Sequence, residues 1–254
     1  MLVKSTPFLF IYSSVLFFII GTVAGSFLNC YAGRYVAHIP ITKGRSVCDS
    51  CNTELKALDL IPILSWIMSK GKCRHCRAKV SIRYPLTELF CGIMSLLILY
   101  KYDLSLETLV YFVLFCCLFA LSLVDLDIYE IPDACIIIPI IFWVILNFFK
   151  KEWLSGILGG LLIAGSVLLI SLIMDKILKK ESMGGGDIKL LFVTGLYLGI
   201  IGNLFCLIIS CFMGIIFVIG LKKDKIPFGP SIAMACMFMV LYGGRLVELY
   251  LSLF

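Results

Sequence analysis

Two carboxylates and four thiols carry the chemistry latent in this sequence. Asp125 follows an unbroken apolar run in "ALSLVDLDIYEIPDACI", and Asp187 follows Gly184, Gly185 and Gly186 in "KKESMGGGDIKLL". Asp127, Glu130 and Asp133 read as a solvated turn, with Asp133 near a helix start. Asp125 does not. In the last turn of an apolar helix a carboxylate is expensive and faces the negative helix end. An N-cap would account for Asp187 alone. Three consecutive glycines imply more: close backbone approach, and a loop mobile enough to swing Asp187 against Asp125. Two carboxylates that meet in a low-dielectric site cannot both ionise easily, so they share one proton. The ionised member activates water while the protonated one polarises a scissile carbonyl, which is aspartyl proteolysis. The alternative from the residues alone is a proton-coupled transporter, which would also place carboxylates in a membrane. It would further need polar groups along the spans, and mid-span positions here are almost bare of charge.

The four thiols stand in "CDSC" (Cys48, Cys51) and "CRHC" (Cys73, Cys76). Two CxxC pairs about twenty residues apart resemble a zinc ribbon or knuckle, because four thiolates at that spacing close a tetrahedron around Zn²⁺. Free thiols or a disulfide pair are the competing readings, and a reducing cytoplasm disfavours the disulfides. A four-Cys site leaves no open coordination position, so the metal is expected to be structural. The remaining cysteines, Cys30, Cys91, Cys116, Cys117, Cys135, Cys206, Cys211 and Cys236, read as small apolar filler in or beside spans. His38 and His75 are the only histidines. Both fall in segment 31–83, predicted to be a cytoplasmic insert, with His75 read as a surface residue, so a Ser-His pair within the membrane is missing. No HExxH zinc-protease motif is present either.

The elements that must position these groups are membrane helices. The chain has 254 residues, 61% of them hydrophobic and only 15% charged, with a mean hydropathy of +1.06. Several apolar stretches of sixteen or more residues call for a polytopic, all-α membrane protein. Their continuity excludes a β-barrel. About eight spans are expected: 8–30, 84–100, 105–124, 134–149, 154–174, 188–202, 204–221 and 229–251. No internal repeat is visible. The domain organisation reads as a first transmembrane helix (1–30), a cytoplasmic zinc-ribbon-like insert (31–83) and a helical membrane domain (84–254). Seventeen of the 22 Lys and Arg fall in segment 31–83 and on the loops predicted to share its side. The positive-inside rule therefore puts that side in the cytoplasm and both termini outside. The first span is too long, and its n-region too poor in charge, for a cleaved signal peptide. The net charge of +6 follows from topology and does not indicate a nucleic-acid partner.

The sequence resembles the type IV prepilin peptidases, which are GxGD-type membrane aspartyl proteases of bacteria. "GSFLNCYAGR" (Gly25 to Arg34), "CDSC", "DLIPILSW" (Asp59 to Trp66), "GKCRHC", "SIRYPLTEL" (Ser81 to Leu89), "DLDIYEIPD" (Asp125 to Asp133) and "GGGDIKL" follow one another in family order. Asp49 stands where the family often has proline, and Cys30 replaces a usual aliphatic. The resemblance implies Asp125 and Asp187 as the catalytic dyad. The implied substrate is a prepilin or pseudopilin, cut after a glycine at the cytoplasmic face of the inner membrane. It further implies N-methylation of the new terminus with S-adenosylmethionine. No GxGxxG-type loop is present to bind that cofactor. Arg83 and Glu88 read as an interface anchor and a helix-start carboxylate, not as methylation residues.

Overall fold

A computed structural model describes residues 7–41, 44–48, 50–180, 182–221 and 227–252, without the side chains of Leu221 and Leu251. Asp49, Lys4, Lys43 and the basic residues Lys222, Lys223 and Lys225, which entered the topology argument, lie outside the described residues. The described chain is helical, with only two isolated β-bridges. The helices are α1 (Pro7–Val36), α2 (Leu64–Met68), α3 (Arg83–Tyr102), α4 (Leu106–Ile128), α5 (Ala134–Lys150), α6 (Trp153–Leu178), α7 (Gly185–Leu221) and α8 (Gly229–Leu251). Six of them are long and apolar enough to cross a membrane, and α5 is a shorter apolar helix. The protein is a multi-pass membrane protein.

The chain forms two compact units, residues 1–108 and 109–254. In the first, α1 and α3 pack closely along a stripe of small residues. A Cβ on Gly21 would lie 2.6 Å from the Cys91 carbonyl, and one on Gly25 2.9 Å from the Cα of Glu88. Small residues let membrane helices approach to backbone contact, where dispersion and polar bonds replace the absent hydrophobic drive. Polar bonds complete the seam. Ser95 Oγ donates to the Phe17 carbonyl at 2.8 Å, and buried Asn29 donates to the Thr87 hydroxyl. Two of the sequence motifs, "GSFLNCYAGR" and "SIRYPLTEL", thus meet. Arg34 closes the first motif by donating to the carbonyls of Ile41, Gly44 and Arg45.

In the second unit α7 is interrupted at Gly199, whose φ of 67° and ψ of −172° no helix contains. The chain reverses there. Asn203 Nδ2 donates to the Leu191 carbonyl at 3.1 Å, and Thr194 Oγ1 donates to Asn203 Oδ1 at 2.8 Å. Residues twelve apart in a continuous helix would be about 18 Å apart. The two halves therefore run antiparallel, close to the spans predicted at 188–202 and 204–221. Only glycine reaches that φ/ψ pair readily. The reversal sits against α6, where Asn203 Nδ2 also donates to the Gly159 carbonyl at 3.2 Å. Most other boundaries fall within a few residues of expectation. The main differences are α1 and α6, which run to Val36 and Leu178, and α4, which continues to Ile128.

Candidate active site and metal centre

Extension of α4 carries Asp125 inside the helix, where it is only 5% exposed. The helix stops at Tyr129, whose φ is 60° and whose amide donates to the Asp125 carbonyl at 3.0 Å. The charge problem posed by the negative end of α4 is answered from another element. The Gly229 amide, at the first residue of α8, donates to Asp125 Oδ2 at 3.0 Å. The positive end of α8 thus faces the buried carboxylate. The sequence reading missed this contact. Its signal is "FGPS" (Phe228 to Ser231), a glycine followed by proline at a helix start.

Asp187 lies in the first turn of α7, half-buried, with its amide bonded to the Gly184 carbonyl at 3.1 Å. Its side chain turns back toward Gly184: a Cβ there would sit 3.3 Å from Asp187 Oδ2. The carboxylates of Asp125 and Asp187 are near enough for their charges to interact directly. Further bonds tie the two motifs together. Asp133 starts α5 as predicted, but its side chain does not cap the helix and instead meets Lys189 Nζ at 3.0 Å. Gly186 lies against Ile131. Asp127 and Glu130 are exposed.

The glycine triplet differs from the expected mobile stretch. α7 already begins at Gly185, and the positive-φ glycines among the described residues are Gly44, Gly71 and Gly199. Glycine is destabilising chiefly in the middle of a helix, so at the first turn its cost is small. What the triplet supplies is room. A Cβ on Gly186 would meet Ile131 at 3.2 Å, whereas one on Gly185 would meet open space. The double change Gly184→Ala with Gly186→Ala is therefore expected to slow turnover on the order of tenfold or more, by pressing on Asp187 and on Ile131. Gly185→Ala should stay near normal. Rates of substrate cleavage by the single and double variants check this, and equal rates for all would remove the steric role.

In the first unit the Sγ atoms of Cys48, Cys51, Cys73 and Cys76 all lie within 4.8 Å of one another. Cys48 and Cys76 are 4.0 Å apart. A tetrahedral ZnS₄ centre with bonds of about 2.3 Å has sulfur–sulfur edges near 3.8 Å, so the donor set fits zinc. The centre is built from two similar knuckles, a local repeat the sequence reading did not see. The bridges Val47–Glu54 and Lys72–Lys79 have the same spacing. In each knuckle the residue after the second cysteine, Asn52 or Arg77, has positive φ and donates its amide to the first cysteine's carbonyl. The Thr53 hydroxyl and then its amide push the Cys51 thiol down to about 6. The amides of Cys76 and His75 lower Cys73. At Cys76 the Ala78 amide favours the thiolate, but desolvation and the three neighbouring sulfurs prevail and push it up to about 11. Crowded thiolates of this kind are what a bound dication relieves. His75 is exposed. Of the eight filler cysteines, Cys91, Cys117, Cys135, Cys206 and Cys236 are buried, Cys30 and Cys116 half-buried, and Cys211 exposed; all are free thiols.

Glu88 is more than a helix-start carboxylate. It is 7% exposed, and its Oε2 accepts the Ile63 amide at 2.7 Å.

One unit is a helical membrane unit that carries Asp125 and Asp187, and the other carries a four-thiol knuckle; together these features define the class of molecule. The Bacterial Peptidase A24 N-terminal domain matches residues 19–102, and the Type IV leader peptidase family matches residues 112–219. A prepilin leader peptidase/N-methyltransferase of Aeromonas salmonicida is 36% identical over 231 residues, covering 86% of this chain and 77% of that protein. A protein of the same description from Bacillus subtilis is 29% identical, covering 93% of this chain and 97% of its own. The type 4 prepilin-like proteins leader peptide-processing enzyme of Escherichia coli is 30% identical over 84% of this chain and 88% of its own. No solved structure matches the chain significantly. The chain belongs to the type IV leader peptidase family, and is a peptidase.

Proposed function

We propose that this protein removes the leader peptide of a prepilin or pseudopilin after a glycine, at the cytoplasmic face of the bacterial inner membrane. Asp125 and Asp187 act as the catalytic dyad. The observation that supports this reading best is that the two carboxylates, from "DLDIYEIPD" and "GGGDIKL", lie in one compact unit within electrostatic range of each other. One carboxylate takes a proton from water as its oxygen attacks the scissile carbonyl. The other gives its proton to the carbonyl oxygen. Collapse of the resulting gem-diol breaks the C–N bond: the departing amine takes a proton from the carboxyl that deprotonated water, and one gem-diol hydroxyl returns its proton to the other carboxylate.

The chain crosses the membrane eight times in this reading, with α5 and each half of α7 counted as crossings. Both termini are periplasmic. In this reading the protein also N-methylates the released terminus using S-adenosylmethionine, which the word N-methyltransferase in the names of the relatives supports. A transporter reading is weaker, because the charged residues of the second unit gather at helix ends. Detergent-purified protein incubated with a prepilin should yield the shortened product. Intact prepilin after prolonged incubation with inserted, folded protein would overturn the proposal.

Zinc is the structural metal in this reading, held by Cys48, Cys51, Cys73 and Cys76. Elemental analysis is expected to find about one zinc per chain. Chelation should loosen the insert more than it blocks peptide hydrolysis. Stoichiometric metal retained after all four cysteines are replaced would remove the assignment.

A further inference from the structure

The insert carries an apolar face that its own small core does not cover. Leu58, Leu64, Ile67 and Met68 are 57–72% exposed. Leu64, Ile67 and Met68 fall on one side of α2, at i, i+3 and i+4. A polar domain of this size rarely leaves such a cluster to water.

Three contacts fix where this face sits. Ile63, just before α2, is the centre of a tight γ-turn, with φ 62°, ψ −53° and the Leu64 amide 2.6 Å from the Pro62 carbonyl. A β-branched residue is rarely found there, and its amide is held by buried Glu88 of α3. Glu88 is five residues into α3, so it lies about 7.5 Å along the helix from Arg83. The bond therefore pins the start of α2 beside the second turn of a membrane-spanning helix, at interfacial depth. Trp66, on the opposite side of α2, donates its indole N–H to the Val80 carbonyl at 3.1 Å, and lies so close to Gly71 that a Cβ there would be 2.8 Å from its ring. α2 and the second zinc knuckle are thereby one piece. That knuckle presents exposed Lys70, Lys72, Arg77 and Lys79. Arg74 is engaged by Asp59 at 3.2 Å.

An apolar face held at the depth of the headgroups, joined rigidly to a basic cluster, has the chemistry of an interfacial helix on an anionic membrane. We propose that segment 58–68 is a membrane-docking element that seats the zinc knuckle on the bilayer surface, with the basic cluster on anionic lipid headgroups. The occupant is the lipid surface, not the peptide substrate.

The test uses the full chain in bilayers of phosphatidylethanolamine and phosphatidylglycerol, with Met68→Trp as reporter and the parent protein as baseline. Ile67→Trp serves as a second reporter should the first disturb folding. Lipids brominated near the top of the acyl chain are expected to quench most of the added emission, and aqueous iodide little of it. Lys70→Glu, Lys72→Glu and Lys79→Glu combined should reduce that quenching in phosphatidylglycerol-containing bilayers and leave it unchanged in phosphatidylcholine. Quenching of both reporters by iodide and not by bromolipid overturns the proposal. So does shielding from iodide that appears only after prepilin is added, which would make the face a substrate dock.

Discussion

Asp125→Asn and Asp187→Asn are each expected to abolish cleavage, with losses on the order of a thousandfold or more, while the protein remains inserted and folded. Asparagine keeps the shape of the carboxylate but cannot take up or release the shared proton. Residues that act as one unit lose nearly everything when either is removed. The double variant should consequently be no worse than either single one. Asp127→Asn is the control, because that side chain is exposed. Asp133→Asn should also be mild, since its pair with Lys189 is exposed at 3.0 Å and such pairs contribute little. Product formation at matched protein concentration is the measurement. Near-normal cleavage by either dyad variant would displace the assignment.

The membrane helices and the chemically capable residues were legible because each leaves a local signature. Apolar runs mark the spans, and paired CxxC marks the knuckles. Even the reversal in α7 was visible as a break between two expected spans. What escaped the reading depends on contacts distant in sequence. The sequence around Asp125 says nothing of Gly229, 104 residues on, whose amide meets its carboxylate. Glu88 looked ordinary because its partner is a backbone amide at Ile63, which no side-chain motif announces. The glycine triplet invited a reading in terms of mobility. Propensity alone could not tell a loop from a helical first turn, and the packing of Gly186 on Ile131 decides what that glycine does. The knuckle repeat was hidden since only the cysteines are shared; its symmetry lies in backbone bonds and the positive φ of Asn52 and Arg77.

Gly229→Ala should slow catalysis on the order of a hundredfold, less than loss of the dyad, while sparing the fold. A Cβ on Gly229 would fall 2.5 Å from Asp125 Oδ2, closer than atoms can stand. The residue lies outside the positive-φ region, so alanine meets no backbone objection. The nearest atom is the far end of a side chain, which can rotate away without unpacking α4 from α8. Stability therefore changes little. The atom that must move, however, is a reacting oxygen. Its displacement also lengthens the bond from the Gly229 amide that orients it. A misplacement of about 1 Å at a reacting group costs on the order of a hundredfold in rate. The loss is expected in kcat with KM little changed, because the substrate-binding surface is not what moves. Gly244→Ala, in the same helix but facing open space, controls for alanine in α8. Zinc content and membrane insertion should match the parent in both variants. Cleavage by Gly229→Ala as fast as by Gly244→Ala would show that the amide of Gly229 merely neighbours Asp125 and does not hold it for reaction.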